Sequence, residues 1–136
     1  MTLICDTGVV YAALVRGDKF HQSCAELLAA RDDVLVPASV VVEVDSLARS
    51  RGAPVATEML LASIDDGSVQ VEDVEPRDYR RAGELIRRYA DLRLGFVDAS
   101  IVAIAERLEE TTIATLDRRH FSIVKPLHCE AFTLVP

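Results

Sequence analysis

Short apolar, β-branched runs alternate along the chain with segments in which apolar residues recur every three or four positions. Leu3-Ile4-Cys5 reads as a first strand and Thr7–Leu14 as the helix after it. Phe20, Cys24, Leu27 and Leu28 stand at i, i+4, i+7 and i+8, one face of an amphipathic helix. Val34-Leu35-Val36, closed by Pro37, is a second strand. The spacing then predicts a helix over Ser39–Arg51 with Gly52 as its cap, against the strand preference of Val40-Val41-Val42. Pro54 opens a helix through Ile64, stopped by Asp65-Asp66-Gly67. Val69, Val71 and Val74 alternate as a short strand. From Pro76 to residue 90 a helix carries Tyr79, Ala82, Leu85, Ile86 and Tyr89 on one face. After Gly95, Val97, Ile101, Ile104, Ala105 and Leu108 form the clearest helical stripe. Thr112–Thr115 is a strand, and Phe121–Val124 and Phe132–Val135 are two further strand candidates. The alternation predicts an α/β domain with a parallel sheet and helices on both faces. With no linker, repeat or low-complexity stretch, it is expected to be one domain over 1–136.

Composition narrows the class. Half of the 136 residues are hydrophobic, too many for a disordered chain, and no apolar run reaches the ~20 residues of a membrane span. Met1–Asp6 lacks the basic start of a secretory signal. Cys5, Cys24 and Cys129 are odd in number and far apart, and fit reduced core cysteines of a cytoplasmic protein. The formal net charge of −7 argues against passive adhesion to nucleic acid.

Four carboxylates interrupt the apolar pattern. Asp6 follows the first strand, where α/β folds gather ligands, and equally stands where a helix N-cap belongs. Glu43 on a helix shares a stripe with Val40, Val44 and Leu47; on a strand it would join Asp45 on a solvated face. Asp98 fits a first-turn acid favoured by the helix dipole, and Asp117 fits a turn aspartate. Jointly they offer more, because two lie past strand ends and two on core-facing helices. One sheet edge can gather all four, and four ionised carboxylates repel unless cations bind. Hard oxygen donors suit Mg²⁺ or Mn²⁺, ions suited to phosphodiester chemistry.

The blocks Leu3-Ile4-Cys5-Asp6-Thr7, Pro37–Glu43, Gly95–Ser100 and Thr115-Leu116-Asp117-Arg118-Arg119-His120-Phe121 resemble PIN-domain ribonucleases, most of all the VapC toxins of prokaryotic toxin–antitoxin pairs. The resemblance runs through nearly the whole chain. It implies a three-layer α/β/α fold around a short, mainly parallel sheet. It implies Mg²⁺- or Mn²⁺-dependent RNA cleavage, a cognate VapB-type antitoxin as partner, and homodimers. Asp6 and Asp98 become the principal metal ligands, and Glu43 and Asp117 complete the cluster and orient water. Thr7 and Thr115 match hydroxyl residues that bond into the site. Gly8 departs from the serine of many relatives and removes one hydroxyl.

An acidic protein that cuts RNA needs cations near the cut. Arg77, Arg80, Arg81, Arg87 and Arg88 share the polar face of one helix, where Glu84 and Asp78 are available as ion-pair partners. Arg93 follows that helix. Arg118 and Arg119, beside Asp117, are the better candidates for phosphate. His21 and His128 belong to no constellation. Two other readings remain at this stage. Asp6-Thr7-Gly8 matches the aspartic-protease triplet, but the helical content opposes that all-β fold. A catalytically silent interaction module would leave the acids as caps and surface charges.

Overall fold

The computed structural model describes every residue, Met1–Pro136. Five short strands, β1 (Leu3–Cys5), β2 (Val34–Pro37), β3 (Gln70–Glu72), β4 (Thr112–Ala114) and β5 (Thr133–Val135), form one sheet in the order β3-β2-β1-β4-β5. Every neighbouring pair is parallel. Seven α-helices complete the molecule: α1 (Thr7–Leu14), α2 (His21–Ala29), α3 (Ala38–Ser50), α4 (Val55–Asp65), α5 (Pro76–Arg88), α6 (Phe96–Leu108) and α7 (Arg118–Ile123). The architecture is the three-layer α/β/α arrangement predicted.

Strands β1 and β2 are buried throughout, which is why they read as unbroken apolar runs rather than alternating ones. Helix α6 is buried from Ala99 to Ala105 and packs into the main core. In α3 the β-branched run yields to the helical period, because Val40, Val44 and Ala48 recur every four residues and are all buried. Its end is a Schellman turn. Gly52, at φ +70°, donates to Arg49 O at 3.2 Å, and the Ala53 N–H reaches Ala48 O at 2.8 Å.

The predicted strand over Phe121–Val124 is instead helix α7. Asp117 caps it by accepting the His120 backbone N–H, and Phe121 anchors it in the core. A local cap and one buried aromatic outweigh the strand preference of a short apolar run. The expected stripe of α5 is also shifted. Ala82 and Leu85 are buried with Asp78, while Tyr79 and Ile86 are exposed. No helix is long and apolar enough to cross a membrane.

The order of the strands matters for chemistry. The chain steps from β1 outward to β2 and β3, then returns to place β4 on the other side of β1. The carboxyl ends of β1 and β4 therefore flank a topological switch point, where a crevice opens in sheets of this kind.

Candidate active site

The two central strands end side by side, with Cys5 opposite Ala114 and the Asp6 N–H donating to Ala114 O at 2.9 Å. Asp6 and Thr115–Asp117 thus enter the switch-point crevice together. Asp6 is both of the things its position offered. Its Oδ1 caps α1 by accepting Thr7 N–H at 2.8 Å, and its Oδ2 accepts the Thr115 hydroxyl at 2.8 Å. Thr115 Oγ1 in turn accepts the Asp117 N–H at 2.9 Å, so one hydroxyl ties the two acids' segments together.

A cleft of about 670 Å³ is lined by all four acids singled out in the sequence, Asp6, Glu43, Asp98 and Asp117, with Thr7 and Gly8. Asp6 is buried, and Asp98 sits in the first turn of α6, half-buried. Burial pushes the Asp6 carboxyl up to about 6, and the nearby Asp98 charge pushes the same way; the hydrogen bonds from Thr115 and Thr7 oppose them. Asp98 is also raised by burial, against the hydrogen bond and charge of His120. Glu43 differs from its sequence reading. Val40 and Val44 take the inward positions of α3, leaving Glu43 exposed at the lip of the cleft rather than aimed into the core. The Thr7 hydroxyl is buried without a hydrogen-bond partner.

One residue of the cluster went unrecognised in the sequence. His120 Nδ1 lies 2.8 Å from Asp98 Oδ2 and 2.9 Å from Asp117 Oδ2. With both carboxylates ionised, a proton on Nδ1 is donated to Asp98, and Asp117 Oδ2 stands within ion-pair distance of the same nitrogen. The signal was present as Asp117 and His120 at i, i+3, one helical turn apart. It was hidden by assigning the following residues to a strand. Asp98, Asp117 and His120 bring their ligand atoms within 4.8 Å of one another.

The basic candidates divide. Arg118 donates to the Pro136 carbonyl, while Arg119 is exposed. On α5, Arg81 is bound to Glu106 at 2.7 Å and Arg77 to Glu75 at 2.9 Å. Asp78 is no partner of those arginines. It is buried and paired with Arg107 at 3.0 Å.

A profile of the PIN domain matches residues 3–125. The chain belongs to the PIN-domain family. Within it the chain is of the VapC type. It is 31% identical to the Mycobacterium tuberculosis protein named Ribonuclease VapC26, over 98% of this chain and 100% of that one. Solved PIN toxins share the fold. The M. tuberculosis toxin VapC20, described as cleaving the sarcin–ricin loop, superposes with a TM-score of 0.82 at 23% identity, covering 95% of this chain and 99% of that one. The toxin–antitoxin complex VapBC2 of Rickettsia felis, bound to promoter DNA, matches with a TM-score of 0.72 at 16% identity, covering all of both chains. Membership sets aside the aspartic-protease reading of Asp6-Thr7-Gly8, since that triplet here opens a helix beside a parallel sheet.

Proposed function

We propose that this PIN-domain protein, acting as one domain over 1–136, is an Mg²⁺- or Mn²⁺-dependent endoribonuclease and the toxin of a type II toxin–antitoxin pair. The observation that carries the reading is a cleft in which four carboxylates meet without a lysine or arginine, with the two most buried acids held above their ordinary pKa. Such a donor set fits a hard divalent cation, because binding removes both the desolvation and the repulsion.

A divalent ion in this cleft supplies a more acidic water and neutralises charge that develops on phosphoryl oxygens. The protein's own part is positioning. Asp6 and Asp98 are the ion's principal ligands. Asp117 and Glu43 orient the attacking water from the open side of the cleft. Thr115 fixes the carboxylate of Asp6, and the His120 bridge fixes Asp98 relative to Asp117. Arg119, exposed beside Asp117, is available to a phosphate. The named ribonuclease relative supports RNA as substrate, and the Rickettsia complex supports a VapB-type antitoxin as partner. Homodimers and a cytoplasmic setting complete the proposal.

RNA cleavage decides it. The parent is expected to cut single-stranded RNA in Mn²⁺ or Mg²⁺ and to stop in excess chelator. Asp6→Asn and Asp98→Asn are each expected to lose about a thousandfold in rate, the several kcal/mol a bound ion contributes. Undiminished cleavage in both variants would overturn the site, and full activity in chelator would overturn the metal.

A further inference from the structure

The acidic cleft continues beyond the acids in both directions. On one side Glu43, Phe96 and Val97 are shared with a more apolar cleft of about 780 Å³. On its wall the rings of Tyr79 and Phe96 stack, with centroids 5.6 Å apart and planes 12° from parallel. Both remain open to solvent, 56% and 41% exposed. On the other side Gly8, Leu47 and Leu116 are shared with a smaller hollow of about 230 Å³ that Lys19 and Arg51 line.

Both of these cations stand over aromatic rings. Lys19 Nζ lies 5.0 Å from the centre of the Phe20 ring, and Arg51 Cζ lies 5.1 Å from that of Tyr11. Neither belongs to any of the molecule's ion pairs. The Asp18 carboxylate lines the same hollow and accepts the Phe20 backbone N–H at 2.8 Å. Glu43, Leu47 and Arg51 follow one another at four-residue intervals, so one face of α3 and its cap walls all three hollows. An exposed π surface, a carboxylate cleft and a hollow with two cations against one acid therefore lie in series.

The geometry points to a path for single-stranded RNA through all three hollows: a nucleobase beside the scissile phosphate stacks on the Tyr79–Phe96 pair, and a phosphate on the other side of the cut is held by Lys19 and Arg51. The path rests on the ribonuclease reading above. A single strand offers flat bases and anionic phosphates in alternation, which suits both ends. An apolar peptide segment would satisfy the aromatic cleft and leave the net positive charge of Lys19, Arg51 and Asp18 unmatched.

Binding of a short uridine-rich RNA carrying one 2-aminopurine, read in Ca²⁺ by base fluorescence and by anisotropy across salt concentrations, tests this path. The parent should quench the fluorescence. Tyr79→Ala should abolish the quenching and raise Kd about 5- to 100-fold, while Tyr79→Phe keeps both near the parent. Lys19→Ala combined with Arg51→Ala should flatten the dependence of log Kd on log salt by about 0.7, one phosphate's worth. The path requires both effects. Unchanged quenching in Tyr79→Ala, or an unchanged salt slope in the double variant, would overturn it and give the aromatic cleft to a protein segment. Binding is read without turnover, so RNA held through these residues but never cut in Mn²⁺ would overturn the ribonuclease reading and leave the path standing.

Discussion

Arg107 stands among Glu72, Glu75 and Asp78, at 2.8, 3.3 and 3.0 Å, whereas the four acids of the cleft converge with no guanidinium or ammonium among them. Both clusters draw carboxylates from several elements into a small space. In the first, burial opposes the charge of Arg107, but its hydrogen bonds to Asp78 and Glu72 outweigh that and raise its pKa above the ordinary value. The result fastens β3 and the start of α5 to α6, and Arg107 also donates to Asp73 O at 3.2 Å. In the second, the protein supplies only the His120 bridge, and Asp6 and Asp98 are left with raised pKa values. A carboxylate cluster completed by its own cation is scaffold. One left short of positive charge keeps its carboxyls above their ordinary pKa, the condition the proposed cation would relieve.

The contrast is broken most forcefully at Arg107. Arg107→Met strands three carboxylates, one of them buried, and should cost about 3–5 kcal/mol, a fall in Tm of roughly 10–20 °C by calorimetry. A loss below about 1 kcal/mol would show that the two clusters do not differ in kind. In the metal-free protein the second cluster should respond in the opposite sense. With its folded pKa near 6 and its ordinary value at 3.8, Asp6 holds its proton more tightly folded than unfolded. It therefore costs nothing below about pH 4 and progressively destabilises the fold as pH rises through 6. Asp6→Asn should raise the metal-free Tm by about 3–6 °C at pH 7.5, within the roughly 3 kcal/mol that the shift represents, and leave it near the parent at pH 4. An equal change at both pH values would mean that the helix cap, and not burial with repulsion, governs Asp6.

The smallest effect is expected at Thr115. Thr115→Val keeps the shape but removes the hydroxyl that donates to Asp6 and accepts from Asp117. It should cost about 1–2 kcal/mol and move the pH at which metal-free stability declines upward, because a bond that favours the charged carboxylate is lost. A decline unmoved in pH would detach Thr115 from the electrostatics of the site.

The two clusters were unequally legible in the sequence. Asp6, Asp98 and Asp117 each follow a strand end or open a helix, local places that periodicity locates. Strands β1, β2 and β4 announced themselves as apolar runs because both sheet faces are covered. The Arg107 cluster was invisible, since Arg107 and Asp78 lie 29 residues apart and meet only through the packing of α5 on α6. Asp78 read instead as a partner for neighbouring arginines on its own helix. Glu43 was placed on the correct helix but one position out of phase with the buried face. His120 was lost with α7, where a six-residue helix is too short for periodicity to outvote a β-branched run.

The strand order has a consequence for synthesis. Asp6 leaves the ribosome early, yet the hydroxyl that orients its carboxylate belongs to a residue 109 positions later. The other half of the switch-point crevice, β4 and α7, follows only after all the material of β2, β3 and their helices. A nascent or truncated chain that stops before β4 carries Asp6, Glu43 and Asp98 without the edge that draws them together. The four-acid cleft is therefore assembled only after β4 and the segment that follows it have been made.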